Sequence, residues 1–165
     1  MEAMPVPSPF TLAAFVRAIE KVRGRRILLL PFSESFARLD AACGLWVRMP
    51  DPPIDLVFYM QGTTPYHQQK IILHELAHLW CDDENSLDVG QFQAMFPFLG
   101  STLISKLVGG AKVRGRAAYD TYEERRAETL ADFIQHAADD ATHGDDTLRR
   151  LDESLSHPVA RRRSP

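Results

Sequence analysis

The chain has 165 residues, enough for one domain with a hydrophobic core, and its 45% hydrophobic and 25% charged residues suit a folded protein rather than a disordered one. A net charge of −3 argues against a nucleic-acid or anionic-membrane surface as the primary partner, because such surfaces select strongly basic proteins. Two cysteines, Cys43 and Cys81, are too few for a disulfide framework and point to a reducing cytoplasm.

Residues 1–8, MEAMPVPS, read as a flexible, proline-rich lead-in without the basic and apolar regions of a secretion signal. Leu12, Phe15, Val16, Ile19 and Val22 recur at helical spacing, and Gly24 follows as a stop. Ile27–Leu30 is a short apolar run ended by Pro31, which reads as a buried strand. Ser33–Ala42 is ambiguous, one or two helical turns. Gly44–Arg48 and Ile54–Met60 read as two more strands, joined by the turn-rich MPDPP. Thr64 and Pro65 suit the N-cap and first turn of a helix running to about Cys81.

Apolar residues between Phe92 and Leu107 predict one or two helices, interrupted near Pro97 and Gly100 and ended by Gly109 and Gly110. Lys112–Arg116 reads as a basic loop, and a strong helix follows from about Thr121 to Ala138. Leu148, Leu151 and Leu155 fit one short helix before a disordered basic tail, so residues 9–140 form the predicted domain and 141–165 an appendage. The paired arginines (Arg114 and Arg116, Arg125 and Arg126, Arg149 and Arg150) read as solvated faces, since acidic residues interleave with most of them. No apolar stretch approaches the ~20 residues needed to span a bilayer. The expected fold is α+β, a small three-stranded sheet packed on helices.

The segment His74-Glu75-Leu76-Ala77-His78 carries the chemistry. Histidines four apart share one helix face with Cβ atoms ~5–6 Å apart, so both imidazoles can reach one Zn²⁺. Glu75 can stand beside a water without being a ligand, as a zinc hydrolase requires of its base. A shuffled chain of this composition would contain the pattern roughly one time in a hundred, so its surroundings matter. Ile71, Ile72, Leu73, Leu76, Ala77, Leu79 and Trp80 make the helix apolar nearly all round. Two imidazoles and a carboxylate buried there would cost several kcal/mol unless something satisfied them.

Catalytic zinc typically has three protein ligands. The third is expected from the last helix, where Glu124, Ala127, Glu128, Ala131 and Asp132 fall on one face. Two registers fit: Glu124 as ligand with Glu128 behind it, or Glu128 as ligand with Asp132 behind it, the rear residue orienting the front one. His67 and Cys81, each two turns from His74, are too distant to join both histidines on one ion, and Cys81 reads as an inert buried thiol. Tyr119, Tyr122 and His136 are candidate transition-state hydrogen-bond donors by proximity in sequence.

HELAH at 74–78, followed 46 residues after His78 by ERRAETLA at 124–131, resembles the ImmA/IrrE family of bacterial metallopeptidases, over roughly residues 10–138. The resemblance implies a gluzincin-like site: His74, His78 and Glu124 as zinc ligands, Glu128 as the residue orienting the third ligand, and Glu75 as base. It also implies an endopeptidase that cuts a repressor-like transcriptional regulator in a phage, mobile-element or stress-response setting. The chain departs from many relatives in having Glu128 where they have Asn, and it lacks the helix-turn-helix companion domain. A substrate strand is expected to pair with an open sheet edge, with Ile54–Met60 the candidate. Two other readings stay open: a metal-binding regulatory module that cleaves nothing, and the toxin component of a toxin–antitoxin pair.

Overall fold

The structure, a computed structural model, describes residues 3–32, 43–49, 51–83, 93, 100–108, 112–114 and 121–138. Helix α1 (Leu12–Arg23) opens at Thr11, whose hydroxyl accepts the Ala14 N–H at 3.1 Å, and closes at Gly24, where φ is 64°. That left-handed conformation costs glycine least, which is why the helix stops there. Phe15, Val16 and Ile19 form its buried face. Ahead of it, Met4 and Phe10 also pack against the core.

Three strands follow: β1 (Arg26–Phe32), β2 (Gly44–Met49) and β3 (Ile54–Met60). The β2–β3 pair is antiparallel, with Trp46 opposite Val57, whereas β1 and β3 run parallel, with Leu29 opposite Val57. A fourth strand, β4 (Lys112–Arg114), pairs antiparallel with Trp46–Arg48, giving a mixed sheet in the order β1-β3-β2-β4. The architecture is therefore α+β as expected, but three readings change. Lys112–Arg114 is a short strand rather than part of a loop, so among the described residues the sheet has four strands. Ile54–Met60 lies inside the sheet, with both edges already paired, and cannot accept a substrate strand. Strand β1 runs through Pro31 and exposes much of its length, because it lies at the sheet edge, where a missing N–H is tolerated.

Helix α2 (Pro65–Cys81) is the centre of the molecule. Thr64 caps it by accepting the His67 N–H at 3.2 Å, and Pro65 occupies its first turn. Apolar residues nearly all round make it a core helix, and from Ile71 to Trp80 every residue but His74 is buried. It packs on β2 and β3. Leu73, Leu76 and Leu79 join Phe15, Ile19, Trp46 and Val57 in one core cluster. At its C-terminus Asp82 is left-handed (φ 54°), and its N–H returns to the carbonyls of His78 and Leu79.

Helix α3 (Ser101–Val108) follows, with Ile104 buried, and α4 spans residues 122–138, opening at Thr121, whose hydroxyl accepts the Glu124 N–H at 3.3 Å. Ala127, Ala131, Ile134 and Ala138 are its buried stripe, and Ala131 and Ile134 join the core cluster. The expectations for Ser33–Ala42, for most of the Phe92–Gly100 stretch and for the 141–165 appendage lie outside the described residues. Among the described residues no helix is long and apolar enough to cross a membrane.

Two carboxylates tie the elements together. Asp55 on β3 is fully buried; its oxygens lie 2.8 Å from Arg25 Nε, 3.4 Å from Arg48 Nε and 3.3 Å from Trp46 Nε1. Removing it leaves the part-buried Arg25 guanidinium without its anion and takes one of two from Arg48, so Asp55→Ala should cost about 3–5 kcal/mol in urea unfolding, a large part of a normal domain's stability. Half-exposed Asp82 pairs with Arg23 and Arg48, joining the ends of α1, β2 and α2. Burial pushes its carboxyl up, but the two guanidiniums outweigh this and hold it below the usual carboxylate range. Its stabilisation is therefore full above the unfolded carboxyl's pKa and lost as pH falls through the lower folded one. Asp82→Asn keeps a residue that tolerates the left-handed turn. It should lower stability at pH 7 by under about 1 kcal/mol, solvent screening included, and match wild type only once pH has fallen below the lowered folded-state pKa of Asp82.

Candidate metal centre

Helices α2 and α4 lie antiparallel, as their contacts show: Gln69 meets Gln135, Lys70 meets Asp132 and Glu128, and His74 and His78 meet Glu124. Small residues at Ala127 and Ala131 keep α4 thin on its buried side. This brings Glu124, one turn before Ala127, against the histidine face.

His74 Nε2 and His78 Nε2 lie 3.0 Å apart, and Glu124 Oε2 lies 3.2 Å from the first and 3.6 Å from the second. Donors of a tetrahedral zinc at ~2.0–2.1 Å are separated by about 3.3–3.4 Å, so the triangle already has the size of a zinc site's face. These three residues form a group able to hold a metal ion. Of the two registers the sequence allows, the geometry brings Glu124 to both histidines. Glu128 does not stand behind Glu124: its Oε2 lies 3.4 Å from His74 Nδ1, and its Oε1 lies 2.8 Å from Lys70 Nζ. Asp132 also reaches Lys70, at 2.9 Å, and takes no part in the triangle.

Protonation explains why the centre wants a cation. Asp83 Oδ2 lies 2.8 Å from His78 Nδ1. A carboxylate only accepts, so Nδ1 carries a proton, and the lone pair that a neutral ring has is then on Nε2. Glu128 Oε2 lies at His74 Nδ1, and Glu124 Oε2 and the His78 lone pair both lie within reach of His74 Nε2, so a proton on that nitrogen links the three groups. A cation that replaced this proton would meet two imidazole nitrogens and a carboxylate oxygen. Burial disfavours charge on His74, but its hydrogen bond to Glu124 and the carboxylates of Glu75, Glu124 and Glu128 outweigh this and raise its pKa above the usual histidine range. Nitrogen, nitrogen and oxygen donors of this kind suit zinc.

Glu75 lies outside the triangle and is 6% exposed. It rests against the first residue of β2: a Cβ at Gly44 would sit 2.7 Å from Glu75 Oε1 and 2.8 Å from both Glu75 Cγ and Ile71 Cγ2. Here a glycine is needed for close approach rather than for its backbone angles.

The remaining candidates fall elsewhere. His67 is an exposed first-turn residue, Tyr122 and His136 are exposed, and Tyr119 lies outside the described residues. Cys43 and Cys81 are free thiols, and burial pushes the Cys81 thiol up, so it stays protonated and unreactive at neutral pH. An open cavity of about 540 Å³ is lined by Arg23, Arg25, Arg48, Trp80 and Asp82 among others, but its guanidiniums already pair with Asp55 and Asp82. Sequence reading passed over Asp83, Arg126, Lys70 and Gly44. Asp83 could have been found as an acid just beyond the end of the histidine helix, within reach of the last imidazole.

Gly44→Ala should destabilise the protein by about 1–3 kcal/mol in urea unfolding, because Glu75 and Ile71 must both move to admit the methyl group.

No protein-family model, curated protein or solved structure matches this chain.

Proposed function

We propose that the chain is a zinc-dependent endopeptidase acting in the cytoplasm. The observation that carries this reading is the convergence of His74 Nε2, His78 Nε2 and Glu124 Oε2 at 3.0–3.6 Å, with an additional carboxylate, Glu75, on the same helix. His74, His78 and Glu124 would hold the ion in a zincin-like arrangement of histidine helix and glutamate helix. Zinc bound there supplies a water of pKa near ~7 and Lewis-acid polarisation of a carbonyl.

The chain's own residues do the rest. Asp83 at Nδ1 of His78 and Glu128 at Nδ1 of His74 would leave the two Nε2 atoms to the ion. Glu75 takes the proton of the attacking water and delivers it to the nitrogen of the departing peptide half. Gly44 leaves the room in which that carboxylate sits. Resemblance of the HELAH and ERRAETLA segments to the ImmA/IrrE peptidases supports a repressor-like regulatory protein as substrate.

A second reading rests on one observation. Glu75 is more than nine-tenths buried, which suits a group that stabilises the centre as well as one that moves protons. In that case the chain is a metal-binding regulatory module that captures the same partner without cutting it.

Glu75→Gln separates the two. With an endopeptidase, the variant should retain one zinc per chain by elemental analysis while cleavage of a candidate repressor, followed by intact mass, falls by about 10²–10⁴-fold. Undiminished biological effect in that variant would instead establish the module. Glu124→Ala should lose zinc, whereas Glu128→Ala should still bind it more weakly; the reverse order would transfer the third ligand to Glu128.

A further inference from the structure

We infer that Asp83, held by Arg126, is the positioning residue that fixes His78 for metal, an inference that rests on the zinc reading above. His78 is 1% exposed and carries two contacts of opposite purpose. Its Nε2 faces His74 and Glu124; its Nδ1 faces Asp83 Oδ2 at 2.8 Å. An imidazole can present only one nitrogen lone pair while neutral. The Asp83 contact decides which one it is, and it decides in favour of the nitrogen pointing at the other two donors.

Local structure delivers Asp83 to this place. Asp82 adopts the left-handed conformation at the end of α2, and the turn sends the next residue back toward the helix it has just left. The Asp83 N–H bonds to the His78 carbonyl at 3.1 Å, so backbone and side chain of Asp83 grip the same histidine. The carboxylate is 8% exposed, and its other oxygen, Oδ1, accepts from Arg126 Nη2.

Arg126 adds a second consequence. It lies two residues after Glu124 on α4, so its bond to Asp83 ties the helix bearing the third donor to the end of the helix bearing the histidines. One ion pair thereby sets the tautomer of His78 and the approach of Glu124. The Lys70 contacts to Glu128 and Asp132 hold the two helices at the other end of the site, with the donor triangle between the two clamps.

The test uses the full chain and zinc alone as probe. Zinc affinity by chelator competition should fall about 10–100-fold in Asp83→Ala, and less in Asp83→Asn, whose amide oxygen still accepts from Nδ1–H. Arg126→Ala should weaken zinc in the same direction by a smaller factor, because the carboxylate remains. Long-range proton–nitrogen NMR of metal-free wild type should find His78 protonated at Nδ1, a readout that a purely structural role would not require and that survives if Asp83→Ala fails to fold. Wild-type binding with Asp83→Ala within twofold of it, or a His78 protonated at Nε2, overturns the inference. If wild type binds no zinc, the metal reading fails by itself, and the His78 tautomer still decides the role of Asp83.

Discussion

The fold is arranged around a costly encounter: two imidazole nitrogens and a carboxylate oxygen meet at the interface of two helices, close enough that a proton or another cation has to sit among them. Such groups normally turn to solvent or to donors of their own. Here they are held together because α2 is walled in by the sheet on one side and α4 on another, and because Ala127 and Ala131 let the backbones come close. His78 is almost completely shielded from water, so its loss of hydration has to be offset within the protein. The apolar cluster of α1, α2, α4 and the sheet provides the rigidity, and charges placed one layer out provide the compensation.

That outer layer alternates in sign. Each imidazole has a carboxylate at Nδ1, and each carboxylate has a cation beyond it: Lys70 behind Glu128, and Arg126 behind Asp83. Lys70 is held fully protonated by its hydrogen bonds to Glu128 and Asp132, which outweigh its partial burial. Lys70 and Arg126 thus offset part of the negative charge that Glu75, Glu124, Glu128, Asp132 and Asp83 bring to the histidines, and the remainder favours a cation there.

Much of this was legible in the primary structure. Thr64, Pro65 and the apolar run set the limits of α2, and β-branched and aromatic residues set those of β3, because both elements are specified by local signals. Thr121 likewise marked the start of α4. What failed to show was whatever depended on partners remote in the chain. Strand β4 is three residues long, too short for any periodicity, and among the described residues it is the pairing with Trp46–Arg48 that makes it a strand. The interior place of β3 follows from the parallel pairing with β1, which crosses over rather than meeting its neighbour in sequence. The choice between Glu124 and Glu128 depended on how α4 docks, since both residues lie on the same face one turn apart. Asp83 was only half visible: its place just past the histidine helix put it within reach of the last imidazole, but the left-handed turn at Asp82 that sends it back there has no sequence signal of its own.

Proline at position 31 has an effect beyond shaping its own strand. Strand β1 forms one margin of the sheet, and a row of free amides along such a margin would invite a second molecule to add a strand there. With no N–H at Pro31 and an exposed arginine, Arg26, at its beginning, that row is interrupted. At the opposite margin the final strand spans only three residues, Lys112–Arg114, which offers little length for pairing. Among the described residues the sheet thus offers poor templates for strand addition at both margins.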